Sequence, residues 1–166
     1  CERDVVVREL QERRMFQELV DFYFGRSMHA DALEFLTNLI TTMDQSDNTI
    51  KFQDGVKVLV VDYLKKLPLE YQGLLFHYLD WLLKRFGMDS ALMESVFMNE
   101  TPACANRNHY EIYEYIDKID KTIAMRYLEF VVSAFGSKDV KLHTTLVELY
   151  FDDMENPITK MKLKSV

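Results

Sequence analysis

Four histidines, His29, His77, His109 and His143, and two cysteines, Cys1 and Cys104, are the residues of this 166-residue chain best suited to metal or redox chemistry. A zinc site would need them at short fixed spacing, as in His-x-x-x-His or Cys-x-x-Cys, so that one helical turn or tight loop aims both at one ion. None is so spaced, and each histidine reads as a surface or turn residue. The cysteines make neither a metal pattern nor a disulfide framework, as in a reduced, cytosolic chain. Glu111, Glu114, Asp117 and Asp120 have helical spacing and would line a metal or general-acid site if a facing helix supplied more carboxylates. The same spacing describes an ordinary solvated face, and that reading is preferred. Gly-rich phosphate loop, nucleophile elbow and dinucleotide fingerprint are all missing. No catalytic, cofactor-binding or metal-binding residue is assigned, and no enzyme activity or cofactor is expected.

Composition sets the bounds within which any site must be held. The chain is 48% hydrophobic and 13% aromatic with only five glycines and three prolines, too apolar for disorder and too poor in turn chemistry for a many-stranded fold. A net charge of −7 has the wrong sign for a phosphate-backbone ligand, so nucleic acid is not expected as a partner. No apolar run approaches the roughly 20 residues that span a bilayer, and no signal peptide precedes the first helical pattern, so a soluble chain is expected. Opening on Cys1 in place of Met, the sequence reads as a piece of something longer. The sequon Asn99-Glu100-Thr101 reads as chance, since nothing else supports a secretory route.

The stretch Pro68 to Gly87 is the strongest helical signal. Pro suits a first helical position and Gly the left-handed residue past a helix end. Between them Tyr71, Leu74, Leu75, Tyr78, Leu79, Leu82 and Phe86 form a wide apolar face. Phe76, Trp81 and Leu83 lie off that face, so neighbours are expected on more than one side. Before it, helices are predicted over Asp4 to Arg14, Met15 to Phe24 with Gly25 as stop, and Met28 to Met43. DQSDNTIKFQD, residues 44–54, reads as a long loop. Val56 to Leu67 follows, with Val58, Leu59, Val61, Tyr63 and Leu67 apolar. Its β-branched VLVV run leaves strand as the alternative, and helix is preferred because no partner strand exists.

Beyond Gly87, Asp89 or Ser90 caps a short helix to Met98, which Thr101-Pro102 ends. Asn108, with Glu111 three residues on, opens a helix whose inner edge is predicted as Tyr110, Tyr113, Ile116 and Ile119. Asp120 caps Lys121 to Phe135, which Gly136 stops, and Asp139 caps Val140 to Met154, whose Leu142, Leu146, Leu149 and Tyr150 are apolar. Residues 157–166, carrying Lys160, Lys162 and Lys164, read as a loose basic tail.

Phe24-Gly25, Phe86-Gly87 and Phe135-Gly136 each close one predicted helix and lead into another, so a helical hairpin recurs. About nine short antiparallel helices make a bundle or an α-solenoid of helix pairs. The all-α solenoid is preferred, with residues 1–166 as one solenoid segment of a larger protein.

FQELVDFYFGRSMHADALEFLTNL, residues 16–39, resembles a clathrin-heavy-chain-type repeat: a helix ending near Gly25, a turn with His29, then Ala32-Leu33 in a second helix. VVDYLKKLPLEYQGLLFHYLDWLLKRF, residues 60–86, resembles the vacuolar protein sorting subunit at the late-endosomal-Rab end of the HOPS tether. IAMRYLEFVV and KLHTTLVELYFDDM match its Tyr-Leu-Glu pattern followed by His143 and Leu-x-x-Leu-Tyr. The receptor-associated counterpart in the CORVET tether shares the pattern. The resemblance covers roughly Asp4 to Met154 and consists of packing residues. It implies clathrin-heavy-chain-like repeats in an α-solenoid and a peripheral place on the cytosolic face of vacuole, lysosome and late endosome. The implied partners are other HOPS or CORVET subunits and a late-endosomal or vacuolar Rab GTPase, in membrane tethering before vesicle fusion. No motif residue for Rab binding carries over. The aromatic end of the last helix, Tyr150, Phe151 and Met154, is the expected partner-binding edge, because the end of an array lacks one neighbour; the equal alternative is that these residues pack under the tail. The alternatives are a helical scaffold of another coat or adaptor complex and, less favoured, a helical metal-dependent enzyme.

Overall fold

The computed structural model describes residues 2–42 and 50–155, and side chains over 14–42 and 54–154. The expected basic tail and most of the expected loop lie outside the described residues. Among those described, every regular element is a helix: α1 (Glu2–Gly25), α2 (His29–Thr42), α3 (Ile50–Lys66), a 3-10 turn (Leu69–Tyr71), α4 (Gln72–Phe86), α5 (Ser90–Phe97), α6 (Pro102–Ala105), α7 (His109–Asp117), α8 (Lys121–Ala134) and α9 (Val140–Glu155). None is long and apolar enough to cross a membrane.

The chain divides into two compact units, Cys1–Leu67 with Gly73–Phe86, and Pro68–Gln72 with Gly87–Val166. In the first, α2 packs between α1 and α3. Its face of Ala32, Leu33, Leu36 and Ile40 is fully buried, the three- and four-residue spacing of a core helix. Each such leucine stabilises by about 1.5–3 kcal/mol relative to exposure. α1 is one helix where a break was expected near Arg14. The junction is rich in good helix formers, and Arg14 and Glu18 pair at 3.5 Å across it, as do Gln17 and Asp21 at 2.9 Å, both at favourable four-residue spacing.

α3 corrects two expectations. It begins at Ile50, so the loop expected over 44–54 gives up its last five residues to helix. Its buried positions are Val56, Val60, Tyr63 and Leu64, with Leu67 buried just past its end, whereas Val58 is 57% exposed. The VLVV run is therefore helical, because a period of three to four places four apolar side chains on one face and strand alternation does not. In α4, Leu75, Leu79 and Leu82 are buried while Trp81 is half-buried with its ring edge-on to Phe86.

The second unit is built on local capping. Asp89 accepts from the Leu92 amide, Asn108 from Glu111, Asp120 from Ile123 and Asp139 from Lys141, each satisfying a helix-end N–H left without an intrahelical partner. Thr101-Pro102, expected only to end a helix, also starts α6: Thr101 Oγ1 accepts from the Cys104 amide and Pro102 takes the first helical position. In α7 the buried face is Ile112, Tyr113 and Ile116, with Ile119 36% exposed. The expected edge thus holds at Tyr113 and Ile116 and moves from Tyr110 and Ile119 to Ile112. α8 packs against α7, α9 and α5.

The three Phe-Gly pairs are not equivalent. Gly87 (φ 90°) and Gly136 (φ 58°) are left-handed, whereas after α1 the left-handed residue is Ser27 (φ 58°), two positions past Gly25. Only the later two need glycine for its freedom at positive φ.

Candidate functional site

α9 carries two faces. Leu142 and Leu146 are buried on one and Leu149 is half-buried. Across the helix, Val140, Val147, Phe151 and Met154 are 77%, 50%, 63% and 50% exposed, and Tyr150 beside them is 41% exposed. Spacings of seven, four and three residues keep these side chains in one stripe. The expected edge of Tyr150, Phe151 and Met154 therefore falls on a single exposed surface that extends back to Val147. Tyr150 is held in place, since its hydroxyl donates to Glu129 Oε1 at 2.9 Å. That bond, then desolvation, pushes the phenol pKa up.

Carboxylates flank the stripe. Glu148 and Asp152 follow one side of α9 and, with Asp117 of α7, act on the Tyr113 hydroxyl, whose pKa burial and then these charges raise. Glu129 stands on the other side through its bond to Tyr150. The last turn of α9 has no basic residue. Lys141, near the start of the helix, places its ammonium 3.7 Å from the centre of the Tyr110 ring. Of the carboxylate row weighed above, Glu111 and Glu114 are exposed, Asp117 is half-buried and Asp120 caps α8. Among the described residues no three His, Cys, Asp or Glu side chains are grouped to hold a metal ion.

Two histidines expected at the surface or in a turn, His29 and His109, open helices directly after turns and point inward. His29 is 3% exposed and its Nδ1 shares a 2.6 Å hydrogen bond with the Tyr63 hydroxyl. His109 is half-buried: its Nε2 donates to the Ala105 carbonyl at 3.1 Å, so its Nδ1 accepts from Tyr127 at 2.9 Å. Desolvation lowers both pKa values. A histidine becomes a core residue when a tyrosine meets its ring nitrogen, and Tyr63 lies 34 residues from His29, beyond the reach of local pattern reading. His77 and His143 are exposed as expected.

Arg107 also went unrecognised in the sequence. It is 5% exposed, and its Nη1 donates to the Val96 carbonyl at 3.0 Å and to Cys104 Sγ at 3.3 Å. Asn99 Nδ2 donates to Ser95 and Val96 carbonyls, so the sequon asparagine closes α5. The first unit has a cleft of about 320 Å³ lined by Val20, Phe24, Leu59 and Tyr63 with Asp21 and Asp62 at its rim.

The family model of vacuolar sorting protein 39 domain 1 matches residues 1–83. The chain is 43% identical over 173 aligned positions to vacuolar morphogenesis protein 6 of Saccharomyces cerevisiae, covering 100% of this chain and 16% of that protein. It is 27% identical to the Schizosaccharomyces pombe protein of the same name, over 90% of this chain and 16% of that one. To the human Vam6/Vps39-like protein it is 24% identical, over 88% of this chain and 15% of that one. The chain thus spans about a sixth of the relatives it matches. Their names state vacuolar morphogenesis and sorting and no reaction. No solved structure matches the chain.

Proposed function

Because this chain belongs to the vacuolar sorting protein 39 family, we propose that it is a protein-docking, helical-repeat segment of a HOPS- or CORVET-type tether subunit. It acts in traffic and fusion at the cytosolic face of vacuole, lysosome and late endosome. The observation that carries a docking role is the exposed apolar stripe on α9, where Tyr150, Phe151 and Met154 stand out from a helix whose other face is already packed. Exposed apolar residues gathered in one stripe are what a partner covers, and buried aromatic anchors dominate the energy of such contacts. Its partners are other subunits of the tether, with a late-endosomal or vacuolar Rab GTPase as the second candidate. Membrane association is peripheral and comes through those partners. No catalytic role and no cofactor are assigned.

Capture of purified tether subunits on the 166-residue chain, beside the Rab loaded with GTP or GDP, tests this. The expected result is retention of a tether subunit whatever the nucleotide, lost in a folded Phe151→Ser chain. Retention of the GTP-loaded Rab alone would move the chain from assembly to membrane recruitment. Retention of neither would sink the docking role.

A further inference from the structure

Resting on the docking role above, the geometry points to one class of occupant for the α9 stripe: a basic amphipathic helix of a partner protein. Its apolar face would lie along Val147, Phe151 and Met154, and its lysines or arginines would reach Glu148 and Asp152 on one side and Glu129 on the other. From Val147 to Met154 the stripe runs about 10 Å, two turns of a helix, and an apolar helix face seated along such a surface is a recurring mode of recognition.

Charge decides among occupants. The segment from Val147 to Met154 carries Glu148, Asp152 and Asp153 and no basic residue. Three of its carboxylate neighbours, Asp117, Glu148 and Asp152, converge on Tyr113. These acids also crowd the C-terminal end of α9, where the helix dipole is already negative and favours cations. A second copy of the chain would bring like carboxylates together across a two-fold contact, which is repulsive. An anionic membrane or a nucleic acid would be repelled in the same way. A helix that presents lysine or arginine beside its apolar face is attracted on both counts.

The probe is a 16-residue amphipathic peptide of leucine and lysine, with a twin in which glutamate replaces every lysine, titrated against the 166-residue chain by fluorescence anisotropy. The lysine peptide is expected to bind at least tenfold more tightly than its twin and to weaken as salt is added. Phe151→Ser should reduce its affinity at least tenfold with unchanged far-UV circular dichroism. The pair Glu148→Lys and Asp152→Lys should reverse the preference between the peptides, whereas Glu111→Lys with Glu114→Lys, an equal charge change on α7, should not. Equal binding of the two peptides, no binding of either, or equal effects of the two charge changes would overturn the proposal. So would sedimentation showing self-association that Phe151→Ser abolishes, since a second copy would then be the occupant. If Phe151→Ser leaves capture of a tether subunit intact, this stripe fails and the docking role stands. If the lysine peptide binds as expected but no tether subunit or Rab is captured, the stripe stands and the tether role fails.

Discussion

His29 in the first unit and His109 in the second are built alike and placed differently. Each shares a hydrogen bond from Nδ1 with a tyrosine hydroxyl, Tyr63 and Tyr127 respectively, and each ring leans on a phenylalanine near a helix end, at 5.0 Å from Phe24 and 5.7 Å from Phe135. In the first unit Phe24 and Tyr63 also line the cleft beside α1 and α3. In the second, Tyr127 is 1% exposed, sits edge-on to Phe97 and lies near Arg107 and Cys104, and burial raises its pKa. The two tyrosines are equally buried, but Tyr63 also lines a cleft while Tyr127 is closed in by its neighbours, and of the two histidines His29 is the more buried. The cost of disturbing either pair depends on that surrounding more than on the pair itself.

Truncating the tyrosines gives the widest separation. Tyr127→Ala should lose about 3–5 kcal/mol in urea unfolding, at the high end for aromatic truncation because its neighbours close it in, whereas Tyr63→Ala should lose less because water can enter from the cleft. Equal losses would mean that the cleft does not matter. Removing only the hydroxyls narrows the question. Tyr127→Phe should cost about 1–2 kcal/mol, since it leaves His109 Nδ1 a buried acceptor without its donor. Tyr63→Phe should cost no more than that, and Trp81 fluorescence can follow it because the sole tryptophan lies in the first unit.

Acidification sharpens the comparison further. Burial holds both imidazoles below their ordinary value of 6.5, so the unfolded chain binds more protons than the folded one. Stability from the neutral rings is complete above about pH 6.5 and falls as pH drops through that value toward the folded pKa values. Thermal midpoints should therefore decline from pH 7.5 to 5.5, and less steeply in His29→Gln and in His109→Gln. A flat midpoint over that range would remove both histidines as buried neutral groups. The smallest effect belongs to Glu111→Gln, Glu114→Gln and Asp117→Asn together. Exposed or half-exposed, they should change stability by about 0.5 kcal/mol or less. Divalent cations should make no difference to that figure, and a shift of the midpoint by magnesium or zinc in the parent chain alone would revive a metal site.

What was legible in the sequence was local. Asp89, Asn108 and Asp120 announce helix starts because a cap bonds to an amide two or three residues away, and Gly87 and Gly136 announce stops because only their own backbone matters. The expected α9 edge rested on the end of an array lacking one neighbour, and what the structure adds is that Tyr150, Phe151 and Met154 are exposed. What escaped was long-range. The apolar face read over Val56 to Leu67 held at Tyr63 and Leu67 and failed at Val58, because Val58 and Val60 are chemically the same and only packing on α2 decides which is buried. The burial of His29 and Arg107 depends on partners that chain order does not reveal: Tyr63 for one and, for the other, the carbonyl end of a helix.

That carbonyl end has a kinetic meaning. Cys104 is 2% exposed, donates to Val96 O at 3.5 Å and receives Arg107 from the other side, so a thiol reagent reaches it only when α5 and α6 part. In a Cys1→Ser chain it is the sole thiol, and its rate of alkylation becomes a clock for the opening of the second unit, readable under fully native conditions without denaturant.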